Sequence, residues 1–312
     1  MSGCWCADGN DGSGFNSTAR APIHGDLIAI MKRTRPARSD IIFITGTDTG
    51  VGKTVLTALL LQQLRMNGMH ALAMKPFCTG TRDDVEILRA IQGDELPERL
   101  LNPFFYAEPV APWLAARNSG KTVRLASVIS RIDEAKRRCQ MLLVEGAGGL
   151  LSPLGSHFTA LNLISELDCR IAVVAPNRVG CINQIALVAH ALATTGLPVP
   201  KVILMEQESP DESARSNQKA IRLWKPRIPL LTLPFFRDLE PFFEILKGSP
   251  GTLDKDFSKK LLHCPKMLVE LMQFFGAAVS KTVKKQKPKI KLTVRRKSSN
   301  HNQDSARAFE ML

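Results

Sequence analysis

No apolar run in the 312-residue chain approaches the roughly 18 or more residues that a membrane-spanning helix needs. The leader stretch "LIAIM" is too short for the core of a signal peptide. No membrane partner is therefore expected, and a cytoplasmic location is. Metal-type CxxC pairs are missing too. The seven cysteines stand singly, apart from Cys4 and Cys6. An odd number without such pairs excludes a disulfide framework and a thiolate zinc site and fits a reducing compartment. Cys78, Cys139, Cys169 and Cys181 read as inert small hydrophobes. There is no internal repeat. Acidic and aromatic residues are both absent from "KTVKKQKPKIKLTVRRK", Lys281 to Lys297, which carries nine basic residues. With nothing to stack on bases, this run excludes specific nucleic-acid recognition and leaves only general attraction to polyanions. Most of the net charge of +13 belongs to it, because the segment from Ile41 to Glu240 is close to neutral.

What is present divides the chain in three. Residues 1–39 are rich in Gly, Ser, Asn and Arg without apolar periodicity, which predicts a disordered extension with Met31 as an alternative start. Residues 40–245 alternate strand-like apolar runs with helix-length segments. Residues 246–312 hold short helices around "KKLLHCPKMLVELMQFFG", interrupted by Pro265, and then the basic tail, predicted to be disordered.

Within the middle segment "DIIFITG" reads as a buried strand, "KTVLTALLLQQLRMNG" as a helix stopped by Gly68, and "HALAMKP" as a second strand ended by Pro76. "CQMLLVEGAGG", "CRIAVVAP" and "PKVILM" add three strands, with the helix "NQIALVAHALATTG" between the last two. Continuously apolar strands joined by helices predict an α/β fold, a doubly wound, mostly parallel sheet with helices on both faces. Gly46, Lys75, Glu145 and Pro176 fall at or just past predicted strand ends, where ligands of such sheets bind.

The stretch "TGTDTGVGKT", Thr45 to Thr54, joins the first strand to the first helix. Five residues separate Gly46 from Gly52, one more than the usual G-x-x-x-x-G-K-[ST] spelling allows. Its chemistry is nevertheless that of a phosphate-binding loop. Glycines turn backbone N–H groups inward, the helix N-terminus adds positive potential, Lys53 reaches terminal phosphates and Thr54 offers a hydroxyl to Mg²⁺. Glu145 and Asp84 are candidate oxygen ligands for that cation. Pattern alone leaves Asp84 open between such a role and a solvated loop. It also leaves Lys75, in "MKPFCTG", open between a second anion-binding cation and a lysine snorkelling to the surface.

"GTDTGVGKT", "KPFCTG", "NPFFYAEPVAP", "LLVEGAGGLLSPL" and "VGCINQ" occur in the order seen in ATP-dependent dethiobiotin synthetases, and the stretch from Ile41 to Phe236 resembles that family. The resemblance implies a P-loop NTPase-type fold and a ligase that closes the ureido ring of dethiobiotin from 7,8-diaminononanoate, CO₂ and ATP with Mg²⁺. A carbamate forms, takes the γ-phosphoryl group, and the resulting anhydride is closed by the second amine. It further implies that Lys53, Lys75 and Thr49 are catalytic and that Thr54, Asp84 and Glu145 hold Mg²⁺. Gly50, Val51, Gly52, Lys53, Thr54 and Val55, with Gly146, Ala147, Gly148, Leu233, Pro234 and Phe235, would line the nucleotide. Thr79 would contact the diamine. Family members are homodimers, in which the "RVGCIN" loop and Asn183 reach the neighbouring subunit's substrate.

Some positions depart from the family pattern. Thr79 stands where serine is common. After the fifth strand, where an asparagine often reads adenine, this chain has Glu206, or Gln207 if the register shifts by one. The alternative class, a partition-type ATPase acting on DNA or membrane, carries a signature lysine just after the first glycine, where Thr47 stands here.

Overall fold

Isoleucine, leucine and valine fill consecutive positions of several strands, so both faces of the sheet they form must be covered. The computed structural model describes residues 41–236 and 265–276. The expectations for residues 1–39 and for the basic tail lie outside the described residues.

Strand β1 (Ile41–Gly46) is buried at every position and leads through the P-loop into helix α1 (Lys53–Met66). Next come β2 (Ala71–Met74), the short β3 (Phe77–Thr79), α2 (Asp83–Gln92), α3 (Glu98–Leu101), β4 (Phe104–Tyr106), α4 (Pro112–Asn118) and α5 (Leu125–Lys136). The second half holds β5 (Met141–Gly149), the hairpin β6 (Pro153–Gly155) and β7 (Phe158–Thr159), α6 (Ala160–Glu166), β8 (Arg170–Pro176), α7 (Cys181–Thr194), β9 (Lys201–Met205), α8 (Ala214–Trp224), β10 (Leu230–Leu233) and α9 (Pro265–Phe274). Six strands make one sheet in the order β10-β9-β8-β1-β5-β2, and every pairing in it is parallel. From β1 the chain runs to β2 at one edge, then doubles back through β5, β8, β9 and β10. Right-handed crossovers in opposite directions put helices on opposite faces, which is the doubly wound arrangement.

The sheet is thus the expected one, wholly parallel, with one strand more. β10 escapes sequence reading because "LLTL" is four residues long, sits between Pro229 and Pro234, and shows neither alternation nor length. The two-stranded pairs β3/β4 and β6/β7 are shorter still. Helix α7 begins at Cys181, before the expected start, so Asn183 lies in its first turn rather than in a loop. Among the described residues no helix is long and apolar enough to cross a membrane.

Leu56, Leu59, Leu60, Leu61 and Leu64 of α1 are all buried, more than a single core-facing stripe requires. The extra coverage comes from α2 and from α9, which packs on α1 and β10 and buries Leu271, Met272 and, just past its end, Phe275. Arg170 and Lys201, the first residues of β8 and β9, donate to the Phe275 and Phe274 carbonyls. Cations placed there oppose the negative end of the helix. The Lys201 ammonium also lies 4.8 Å from the Phe274 ring centroid. A segment that sequence reading leaves in the C-terminal extension is therefore part of this domain's packing.

Phe275 is 1% exposed, so Phe275→Ala is expected to cost about 3–5 kcal/mol of stability. Truncation after Gly276, which keeps α9, should leave the melting midpoint unchanged, and truncation after Cys264 should lower it. Thermal denaturation of the three variants checks this.

Candidate active site

The P-loop closes tightly over the end of β1. A Cβ on Gly46 would lie 2.7 Å from Val51 Cγ2 and 3.2 Å from Lys53 Nζ, so no larger residue fits beneath the loop. Gly52, at φ +96°, caps α1 in the left-handed region that other residues enter with strain. The first-turn N–H groups of α1 have no partner within the helix and suit an anion. Lys53 is 6% exposed and its ammonium donates to the Asp48 carbonyl at 2.8 Å. Burial lowers its pKa to about 8, an effect only partly offset by Glu145. Phosphate in the cradle would stabilise that ammonium where the Asp48 carbonyl does so weakly. Val51 is buried, Val55 half-buried, and Thr49 and Gly50 are exposed on the outer turn.

Beside the loop stands a buried charge cluster. Glu145, with no exposed surface, lies inside β5 rather than at its end as expected. The β1–β5 register shifts after Ile44–Glu145 and resumes at Gly46–Gly149, so β5 bulges and continues past the carboxylate. Glu145 Oε1 accepts from the Thr54 hydroxyl and from Lys75 Nζ, both at 2.7 Å. Lys75 also donates to Asp84 Oδ2. Lys75 is no snorkelling lysine: its side chain is 8% exposed, and α3 fixes its backbone. The Lys75 N–H donates to the Leu101 carbonyl at 2.9 Å, and Asn102 Nδ2 donates to the Lys75 carbonyl at 2.7 Å. Burial would lower its pKa, but Glu145 and Asp84 hold it above the ordinary lysine value. Asp84, opposed by burial, is held below the ordinary carboxylate value by Lys75, Thr54 and Lys53.

Thr54, Asp84 and Glu145 form an oxygen set suited to Mg²⁺, which binds few protein ligands and keeps several waters. Glu145 Oε2 supports the fit, being a buried acceptor without a hydrogen-bond partner. Among the described residues no group of three or more His, Cys, Asp or Glu could hold a metal, so the set is two carboxylates and a hydroxyl.

The glycines after Glu145 bring the chain back to the P-loop. Gly146 is buried, and Ala147 and Gly148 are half-buried. Gly148, at φ +66°, would place a Cβ 2.3 Å from Ser152 Oγ and 3.8 Å from Thr49 Oγ1. A cavity of about 380 Å³ opens alongside, lined in part by Thr47, Asp48, Leu150, Leu151 and Leu187. Thr79 ends β3, half-buried, and Asn183 is exposed on α7. Glu206 and Gln207 follow β9, both half-buried, while Leu233 ends β10 and Pro234 and Phe235 follow it. Sequence reading missed Asn177, buried at the end of β8 and bonded to Glu206. The only signal was its place just past Pro176. It also missed the clamp on Lys75 from Leu101 and Asn102.

A family model described as an AAA domain matches residues 40–241. The ATP-dependent dethiobiotin synthetase BioD of Anaeromyxobacter dehalogenans (strain 2CP-C) is 37% identical over 203 residues, covering 64% of this chain and 91% of that protein. The ATP-dependent dethiobiotin synthetase BioD of Bacillus subtilis (strain 168) is 34% identical over 185 residues, 57% of this chain and 80% of that one. Among solved structures, the MinC:MinD cell division protein complex of Aquifex aeolicus aligns with a TM-score of 0.48 at 18% identity, covering 77% of this chain and 98% of that chain. Matched along nearly the whole length of such a relative, this chain belongs to the ATP-dependent dethiobiotin synthetase family.

Proposed function

We propose that this enzyme closes the ureido ring of dethiobiotin from 7,8-diaminononanoate and CO₂, converting ATP to ADP and phosphate. The observation that carries the reading is Lys75, buried between Asp84 and Glu145 and linked through Glu145 to Thr54 of the P-loop. One amine of the diamine attacks CO₂ and loses a proton, forming a carbamate. A carbamate oxygen attacks the γ-phosphorus and ADP leaves. The second amine then attacks the carbonyl carbon, closing the ring and expelling phosphate. None of these steps requires a covalent bond to the protein, so its contribution is positioning and charge neutralisation.

Thr54, Asp84 and Glu145 would hold Mg²⁺, which supplies charge neutralisation on the phosphates. Lys53 would exchange the Asp48 carbonyl for phosphate oxygens. Lys75 faces the carbamate and the phosphoryl group in transfer, with Thr49 over the same position. Thr79 would contact the diamine, and the cavity walled by Leu150, Leu151 and Leu187 suits its aliphatic chain. Val179, Leu187 and Leu151 are 76%, 61% and 61% exposed around Asn183, an apolar surface consistent with a homodimer in which Asn183 reaches the neighbour's substrate. Burial pushes the Cys78 and Cys169 thiols up to about 11 and 12, which suits unreactive cysteines in a reducing cytoplasm.

Purified protein given diamine, bicarbonate and MgATP should form dethiobiotin, read by mass spectrometry. Phosphate release should need diamine and bicarbonate together and be indifferent to DNA. Release stimulated by DNA alone would instead identify a partition-type ATPase.

Lys75→Met should lower ring closure by a factor on the order of 10² to 10³ through loss of the counter-charge. It should also cost roughly 3–5 kcal/mol of stability, because Glu145 is left buried and unpaired. Adding Glu145→Gln is expected to recover the melting midpoint and not the activity. Because Glu145 would also hold Mg²⁺, the double variant reads the fold only; near-normal activity in folded Lys75→Met itself would mean that Lys75 serves the fold alone.

A further inference from the structure

Strand β2 is an edge of the sheet, paired with β5 and, among the described residues, with no strand of the sheet beyond it. The backbone groups that a further strand would satisfy need other partners. At Ala73 a single amide serves both: the Ala73 N–H donates to Gln92 Oε1 at 2.7 Å, and Gln92 Nε2 donates to the Ala73 carbonyl at 2.9 Å. Two residues on, at Lys75, the partner is the chain leaving α3. The Lys75 N–H donates to the Leu101 carbonyl at 2.9 Å. A parallel ladder would continue with the N–H of residue 103 donating to the Lys75 carbonyl. Residue 103 is proline, which has no N–H to give. Backbone pairing resumes one step later, where the Phe104 N–H donates to the Pro76 carbonyl at 3.0 Å, and it runs on as β3 and β4. The rung lost at Pro103 is supplied by the side chain of Asn102, whose Nδ2 donates to the Lys75 carbonyl at 2.7 Å.

Asn102 differs from Gln92 in what it leaves unmet. Both are buried, but Gln92 uses both ends of its amide, whereas Asn102 Oδ1 is a buried acceptor without a hydrogen-bond partner among the described residues. A carbonyl can only accept, so Nδ2 is the end that faces Lys75 and the orientation of the amide is chemically fixed. A desolvated, unpaired oxygen offsets what the single bond contributes, so this amide is a poor device for stability alone. What it does fix is the place of one residue. Pro76 already restrains the Lys75 backbone toward extended conformations, and the bonds from residues 101 and 102 hold both of its backbone polar groups. The footing is firm: Leu100 and Leu101 have no exposed surface, the Asn102 N–H donates to the Glu98 carbonyl at 2.9 Å, and the Glu98 carboxylate pairs with Arg82 and Arg89. Arg82 immediately precedes α2, so the short helix that fixes Lys75 is also tied to the turn that carries Asp84.

We infer that Asn102 is a positioning residue for the reaction: by supplying the rung that Pro103 cannot, it holds the Lys75 backbone so that the ammonium stays between Asp84 and Glu145 and faces the group being phosphorylated. Its bond goes to the Lys75 carbonyl and not to the ammonium, so it acts through where Lys75 stands and not through the charge of Lys75. The inference rests on the ring-closing reading above, in which Lys75 neutralises the carbamate and the phosphoryl group in transfer. Small displacements of a group that neutralises charge in a transition state are felt in turnover before they are felt in ground-state binding.

Asn102→Ala in the full chain should lower kcat for dethiobiotin formation, taken per folded molecule, by about 10- to 100-fold. Calorimetric titration with MgADP, which lacks the phosphoryl group that Lys75 faces, should give an affinity within about twofold of the wild type. Normal turnover in folded Asn102→Ala, or a loss of ADP affinity as large as the loss of turnover, would overturn the inference. Non-additivity is the second readout. A residue that acts through Lys75 has nothing left to position in Lys75→Met, so adding Asn102→Ala to that variant should leave its residual rate per folded molecule unchanged. A further fall as large as the one in the wild-type background would show that Asn102 serves the fold and not Lys75. If Asn102→Ala fails to fold, Asn102→Asp, which keeps the shape and loses the donor, takes its place in both comparisons with the same outcomes. A wild type that forms no dethiobiotin would overturn both readings, whereas each of the other failures overturns this one and leaves the ring-closing reading standing.

Discussion

The constraint on which the site depends is the burial of Glu145. A carboxylate with no exposed surface, in the middle of a parallel strand, is costly unless charge and hydrogen bonds compensate it. Each compensating group is itself fixed by a different part of the chain. Thr54 ties the carboxylate to the start of α1 and so to the P-loop. Lys75 ties it to the end of β2 and, through the bonds from Leu101 and Asn102, to α3. Asp84 brings in the first turn of α2. The same bonds that satisfy one buried charge therefore assemble the group to which the proposed reaction assigns charge neutralisation. The assembly carries one lysine and two carboxylates, with the Lys53 ammonium nearby, and it leaves Glu145 Oε2 without a hydrogen-bond partner and so able to ligate a cation.

Much of this was legible in the sequence, for reasons specific to each element. Strands β1, β5, β8 and β9 are continuous apolar runs between polar breaks, and α1 follows directly on a glycine-rich turn. Local pattern therefore identifies them and places the P-loop between β1 and α1. What stayed open was nonlocal. Whether Lys75 is buried or snorkelling turns on Leu101 and Asn102, which approach it only through a fold the sequence pattern does not contain. Glu145 was expected at a strand end because glycines follow it, yet the ladder with β1 resumes at Gly149. The buried Asn177 and Asn217 lie far apart in sequence, and each by itself reads as an ordinary helix-flanking or surface asparagine.

The extra residue of the P-loop finds its physical account in the same packing. Gly46 has no room for a side chain because Val51 folds down over it, which anchors the far end of the loop at a fixed height above β1. Between these two points the added residue must bulge outward. The bulge carries Asp48 and Thr49 away from the sheet, and the hydroxyl of Thr49 comes within 3.8 Å of where a Cβ on Gly148 would stand. A side chain at Gly148 would thus meet both Ser152 and the tip of the loop. A shorter loop would cradle phosphates equally well through its backbone, since that depends on Gly52 and the helix start. What it would lack is contact with the turn after Glu145, and hence a hydroxyl held over the junction between the phosphate cradle and the cavity beside it. Under the proposed reaction, the longer loop would serve contact with the second substrate, and not tighter binding of the nucleotide.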